Sequence, residues 1–260
     1  MGIGSGQAVL LNVLMNNRSS PPLNSVCEYG AQVPLASELK SLLRDTSGIK
    51  TAADLYNQLG FSKYVTFDIN GEYNALVYDI NNDIPTTYGY NETFDVVTNF
   101  GTSEHCFNQY QVFKNIHNSC RVGGHMLHTV PTQGWGGHCF FRYDRNFFLD
   151  LSDANGYEII FLDAFLRLKS YRNKLKHLQH IGSMMKFIEE KILQNNYDGD
   201  NPFYKTDQIS DALKILGLRN GLFNITAACI FKKTKESEFS VPIQGMYQKA
   251  IIKDKRSRSL

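Results

Sequence analysis

Three histidines follow short apolar runs in the middle of the chain. His105 closes Gly101-Thr102-Ser103-Glu104-His105, His128 lies in His125-Met126-Leu127-His128-Thr129-Val130, and His138 ends Gly136-Gly137-His138. Imidazole titrates near neutrality, so each is a candidate base for removing a proton from an attacking hydroxyl or amine. The same residues could instead hold a metal together with Glu104. Their spacing matches no metal signature, however, and the expectation is a site without metal. Carboxylates recur at comparable places. Glu28 lies at the end of Ser25-Val26-Cys27-Glu28-Tyr29, just before Gly30; Asp68 follows Tyr64–Phe67, and Asp79 follows Ala75–Tyr78. Asn99-Phe100-Gly101-Thr102 closes the run that starts at Phe94. The single tryptophan, Trp135, sits between two glycines and is a candidate lid over a substrate.

Such residues act together only if the chain brings the ends of these runs to one place. The runs are short and lack clean alternation, which suggests strands buried on both faces, as in a parallel sheet. Ligands of open sheets sit beyond the carboxyl ends of the strands. Helical spacing occupies Ala8–Met15, Pro34–Arg44, Thr51–Leu59 and Glu104–Ser119, so strands and helices alternate to about residue 130. In Thr51–Leu59 the residues Ala52, Leu55, Tyr56 and Leu59 share a face, with Thr51 as cap and Gly60 as stop. After Pro131 come a glycine-rich loop, an aromatic and basic segment over Phe140–Asp150, and an Asn155-Gly156 turn before a strand at Tyr157–Phe161. Asp163–Gln194 has a long basic helical pattern, Asp207–Leu216 a shorter one, and Leu222–Lys232 reads as a last strand. The expectation is an α/β chain forming one domain over 1–260, built on a doubly wound, mostly parallel sheet. A helical insertion spans 163–216, and 250–260 is an expected disordered tail.

Taken in order, these features resemble a class I S-adenosylmethionine-dependent methyltransferase over roughly 24–161 and again over 222–232. Glu28 and Gly30 match the acid and first glycine of the family's cofactor turn, while Ala31-Gln32-Val33 stands where further glycines occur. The resemblance implies a Rossmann-like fold with an antiparallel last strand, Leu222–Lys232 pairing with Tyr157–Phe161, and S-adenosylmethionine as cofactor. It implies that Asp68 grips the ribose hydroxyls, since a carboxylate accepts two hydrogen bonds from a vicinal diol. It places Asp79, with Ile80 and Asn81, beside the adenine. Asn99, Phe100 and Gly101 would meet the methionine part, with Thr102 and Trp135 on the substrate side. His105, His128 and His138 are then the candidate catalytic residues. Methyl transfer from an activated sulfonium needs little beyond in-line alignment, and a base assists.

Composition narrows the acceptor. The formal net charge is +2, so there is no basic excess to attract nucleic acid. The segment after Phe94 also lacks the Asp/Asn-Pro-Pro-aromatic motif of amino-methylating nucleic-acid enzymes, and no cysteine stands there as a pyrimidine nucleophile would. No apolar run approaches the roughly 20 residues that span a bilayer. The five cysteines form no CxxC pair, which fits reduced thiols and a cytoplasmic protein. The expected function is methyl transfer to a small-molecule or carbohydrate-like acceptor, without nucleic-acid or membrane partners. The insertion could cover the pocket or make a homodimer contact. Two alternatives stay open: a methyltransferase-like binding or scaffold protein without activity, and an NAD(P)-dependent oxidoreductase.

Overall fold

The apolar runs assemble into a seven-stranded sheet whose two faces are both covered by helices. The structure is a computed structural model that describes residues 2–17, 22–135, 137–166, 203–204, 224–245 and 247. Its strands are β1 (Gly2–Ile3), β2 (Ser25–Tyr29), β3 (Val33–Pro34), β4 (Lys63–Phe67), β5 (Phe94–Phe100), β6 (Cys120–Gln133), β7 (Glu158–Leu166), β8 (Phe203–Tyr204) and β9 (Ile225–Lys232). Its helices are α1 (Ser5–Asn16), α2 (Ala52–Gln58), α3 (Ile84–Tyr88), α4 (Gln109–Ser119) and α5 (Arg145–Asn155).

The main sheet has the order β4-β2-β5-β6-β9-β7-β8, and β1 pairs with β3 in a separate ribbon. The pairs β2/β4, β2/β5 and β5/β6 are parallel. Strand β9 inserts antiparallel between β6 and β7. This is the Rossmann-like, mostly parallel sheet with an antiparallel last strand. Alternate residues of each strand face opposite layers. Cys27 and Tyr29 of β2 join Phe67, Val97, Met126 and Phe231 under α3, α4 and α5. Val26 joins Val96, Leu127, Ala228 and Ile230 under α1 and α2. Helix α2 starts with a reciprocal cap: Thr51 Oγ1 accepts the Asp54 N–H, and Asp54 accepts the Thr51 N–H.

Four expected elements come out differently. Pro34–Arg44 forms only a single 3-10 turn, Ala36–Glu38. Val33-Pro34 is used in pairing with β1, and Glu38 turns back to accept the Ser5 N–H at the start of α1, so no longer helix develops. Ala75–Tyr78 reduces to one bridge, Phe67 to Leu76, because Tyr73 and Asn74 just before it adopt left-handed backbone conformations. Glu104–Ser119 divides into a 3-10 turn at Ser103–His105 and helix α4, because the Asn108 side chain caps Gln111 and starts the helix afresh. Finally, the ladder between β7 and β9 carries strand through 163–166, where the helical pattern was expected to begin. The rest of 163–216 lies outside the described residues apart from β8, as does the tail from 248 onward. Helix α5 escaped sequence reading, its apolar positions being lost in an aromatic-rich segment.

Asp95 fastens the amino end of the sheet. Its Oδ2 accepts the Asn24 and Ser25 N–H groups at 2.9 and 2.8 Å and the Ser25 hydroxyl at 2.7 Å, while Oδ1 accepts Arg121 Nε at 2.6 Å. One carboxylate thus ties β2, β5 and β6. Burial favours its neutral form, but the donors outweigh burial and hold Asp95 below the usual carboxylate range. Asp95→Ala should lower unfolding free energy by about 2–4 kcal/mol near neutral pH, read by urea denaturation. A depressed carboxylate contributes above its unfolded pKa and loses that contribution as pH falls through the folded value. The gap between parent and variant should therefore narrow in acid; a gap that stays constant with pH would refute this role.

Candidate active site

From β2 the chain crosses to β4 on one side, and later returns as β5 on the other. The carboxyl ends of β2 and β5 are therefore the switch point at which an open sheet leaves a crevice. Gly30 turns there with φ +83° and donates its N–H to Phe67 at 2.8 Å. A Cβ on Gly30 would lie 2.1 Å from Thr102 Oγ1, which itself donates to the Tyr29 carbonyl at 2.7 Å. No side chain fits between the two turns, and glycine is required for conformation as well as space.

Asp68 reaches into this turn. Its Oδ2 accepts the Ala31 N–H at 2.9 Å and its Oδ1 the Asn70 N–H at 3.1 Å. Each oxygen keeps a second lone pair. Asp79 is half-buried and binds both the backbone and side-chain nitrogens of Asn81, while Asn81 in turn accepts the Asn108 N–H before α4. Ile80 points into the core. Glu28 takes the opposite face of β2 and is fully buried. It accepts from Tyr64 OH at 2.8 Å, Tyr56 OH at 3.2 Å and the Gln32 N–H at 3.1 Å. Burial pushes its carboxyl up to about 7, against the pull of these three donors. Glu28 thus braces the turn from beneath, through Gln32.

The carboxyl end of β5 is a network. Asn99 Oδ1 accepts the Ser103 N–H at 3.0 Å; its Nδ2 donates to Ser103 Oγ at 2.9 Å and lies 3.2 Å from His128 Nδ1. Phe100 packs into the layer under α1 and α2, and Gly101 turns the chain with φ +77°. Glu104 follows in the 3-10 turn. Its carbonyl accepts the N–H groups of Phe140 and Phe141 at 3.0 and 3.2 Å, which draws the 134–141 loop onto the turn.

That clamp brings His105 and His138 together, with ring centroids 4.9 Å apart and Trp135 4.9 Å from His138. Both histidines are exposed. Burial, then the neighbouring His138, holds the His105 imidazole below its ordinary value. The third histidine does not join them. His128 is buried against the rings of Phe113, Phe148 and Phe231, and burial lowers its pKa to about 3. An imidazole so enclosed stays neutral and has no open path to an acceptor. Trp135 is also pinned: its N–H donates to Asn224 Oδ1 and its indole N–H to the Ile225 carbonyl at the start of β9.

Two further groups belong to this place. Glu104 is fully buried, and neither carboxylate oxygen has a hydrogen-bond partner. Cys106 follows it, its thiol pushed up to about 12 first by burial and then by the fields of Asp79, Glu104 and Asp68. Sequence flags Glu104 only as a possible metal ligand beside the histidines; its burial without a partner shows only in the folded chain. All five cysteines are free thiols. Among the described residues no helix is long and apolar enough to cross a membrane.

No protein-family profile matches the chain, and no curated protein matches it by sequence. Solved structures similar to it include a putative methyltransferase from Bacillus halodurans, with 12% identity, a TM-score of 0.47, and coverage of 86% of this chain and 99% of that one. Another is coclaurine N-methyltransferase bound to N-methylheliamine and S-adenosylhomocysteine, at 12% identity and TM-score 0.46, covering 87% and 73%. A third is the O-methyltransferase of a trans-AT polyketide synthase from Brevibacillus brevis with S-adenosylhomocysteine, at 11% identity and TM-score 0.39, covering 87% and 71%.

Two outcomes follow from the turn. Gly30→Ala should cost about 1–3 kcal/mol for the left-handed backbone alone, and more for the clash with Thr102. The pair Gly30→Ala/Thr102→Ala should therefore lose less stability than the sum of its singles in chemical denaturation; simple additivity would contradict the contact. For Glu28, the folded value of about 7 lies above the unfolded value of 4.5. The folded state then holds the proton more tightly between these values, and stability falls as pH rises through that window. Glu28→Gln should flatten this fall in melting temperatures taken at several pH values, and an unchanged slope would count against it.

Proposed function

We propose that the chain transfers a methyl group from S-adenosylmethionine to a small-molecule or carbohydrate-like acceptor. The observation that carries the reading is Asp68 at the switch point, its carboxylate drawn onto the Gly30 turn by the Ala31 N–H. A carboxylate there, with free lone pairs, suits the vicinal hydroxyls of an adenosine. Ile69, next in sequence, is 71% exposed and offers apolar surface to a base. When bound, the cofactor supplies a methyl group already activated on sulfur.

The chain's own residues would then hold and align. Gly30 lets backbone approach the ligand, and Asp68 and Asp79 fix its adenosine end. Thr102 sets the spacing between the two turns. His105 and His138, with Trp135 behind them, mark the acceptor end and keep the catalytic assignment, whereas His128 serves the core. Exposed Phe107 and Phe140, with ring centroids 6.2 Å apart, would pack against an apolar or sugar face of the acceptor. The antiparallel β9 also sets this sheet apart from a nicotinamide-binding one, whose strands continue in parallel. Reduced thiols and a cytoplasmic setting accompany this reading.

Titration calorimetry with S-adenosylhomocysteine tests it. The parent should bind, and Asp68→Ala should lose about 2–4 kcal/mol of affinity for want of two hydrogen bonds to a charged acceptor. Equal binding by parent and variant would remove Asp68 from the site. Binding of NADH without S-adenosylhomocysteine would favour the oxidoreductase, and binding of neither would favour the scaffold protein.

A further inference from the structure

Glu104 poses a problem that methyl transfer does not solve. Both its oxygens are buried without a hydrogen-bond partner, and it makes no ion pair among the described residues. Leaving a carboxylate in that state is costly. Protonation would remove the charge but leave an unpaired O–H donor, whereas a cation would satisfy both oxygens. The group needs something positive beside it.

The geometry points to what that is. Glu104, His105 and His138 each offer a ligand atom, and these atoms all lie within 4.8 Å of one another. Among the described residues this is the one group of three such side chains. Its parts are built to meet: the hydrogen bonds of Phe140 and Phe141 to the Glu104 carbonyl seat the His138 loop on the His105 turn, and the His138 N–H closes a turn on the Trp135 carbonyl. Gln109 Nε2 holds the same turn from the other side by donating to the Ser103 carbonyl at 2.7 Å.

We propose that Glu104, His105 and His138 together bind one divalent first-row transition ion, with Zn2+ the best match. Two imidazoles and one carboxylate are donors for Zn2+ and its neighbours in the series, whereas Mg2+ and Ca2+ favour all-oxygen sets. Tetrahedral bonds of about 2.0–2.1 Å imply ligand atoms roughly 3.3 Å apart, so the exposed imidazoles would close in by rotation while Glu104 stays fixed. This departs from the metal-free expectation drawn from spacing. Spacing could not register it, because His105 and His138 lie far apart in sequence and meet through the loop clamp.

Three protein ligands leave a coordination position open. The role of that position rests on the proposed methyl transfer: an acceptor hydroxyl taking it would ionise more readily, its proton passing to solvent, and would face the cofactor as a better nucleophile. His105 and His138 would then act as ligands, and the ion, as a Lewis acid, would make a protein base unnecessary. Metal binding itself needs no such reading.

The test uses the full chain, stripped with a chelator and titrated with ZnCl2 by calorimetry, then with Co2+ followed by visible absorption. One equivalent of Zn2+ should bind, and Co2+ should give the intense bands of a low-coordinate site. His105→Ala and His138→Ala, both at exposed positions, should weaken Zn2+ binding by about 100-fold or more, beyond the loss typical of supporting residues. Glu104→Gln should do the same where its melt shows it folded. A parent that takes up no Zn2+ at micromolar concentrations, or a His105→Ala/His138→Ala double variant that binds as the parent does, would overturn the proposal. S-adenosylhomocysteine binding, measured separately, keeps the readings apart. Zn2+ uptake without it leaves the metal site standing and removes the methyltransferase, and the reverse result does the opposite.

Discussion

The close approach of two turns governs the functional end of this sheet. The Thr102 hydroxyl donates to the Tyr29 carbonyl, and Gly30 passes beneath it with no room for a side chain. From that contact the rest follows in order. The Gly30 conformation aims the Ala31 N–H at Asp68, which settles where the acid after β4 stands. On the other strand, fixing Thr102 fixes the start of Ser103-Glu104-His105, and so the base on which the 134–141 loop comes to rest. A bond between neighbouring parallel strands is ordinary. Here it also sets the distance between the groups assigned to the cofactor and those assigned to the acceptor.

Two buried glutamates show how one residue type serves opposite ends. Glu28 and Glu104 are both fully enclosed, and burial pushes both up to about 7. Glu28 has three donors, two of them tyrosine hydroxyls, and its surroundings are complete. Such a group rigidifies the strand end and asks for nothing more. Glu104 has no donor at all. The pKa alone would not separate them; the hydrogen-bond inventory does. His128 is distinguished by its surroundings instead: its Nδ1 meets Asn99, its Nε2 has no partner, and a ring of phenylalanines encloses it in the core.

The sheet was legible in the sequence because its strands are buried on both faces and therefore read as unbroken apolar runs. The existence of a last strand, the Gly30 turn and the place of Asp68 followed from those runs, while the antiparallel sense of that strand came with the methyltransferase resemblance. The misses share a cause. Pro34–Arg44 and Glu104–Ser119 have helical spacing, but Glu38 and Asn108 are held by hydrogen bonds to α1 and to Asn81, and these override local preference. Ala75–Tyr78 had strand composition but sat after two left-handed residues that sequence does not announce. Helix α5 lay in a segment so aromatic that no single face stood out. The sequence placed His105 and His138 at the same end of the sheet, but did not show their direct contact. That contact depends on backbone bonds from Phe140 and Phe141 to the Glu104 carbonyl, which no side-chain pattern encodes.

The position of β9 carries a consequence for assembly. It lies between β6 and β7 in space yet follows both in the chain, bonding Met126 to Phe231 on one side and Leu162 to Cys229 on the other. During synthesis both β6 and β7 precede β9, so the edges that face it stay unpaired until 225–232 are made. Until then the apolar slot for Ala228 and Ile230 stands open. Contacts so distant along the chain are slow to form, and an open edge invites foreign strands. Lys233, just past β9, is buried and donates to the His117 carbonyl at the end of α4. That bond ties the end of the last strand to a helix 116 residues earlier in the chain.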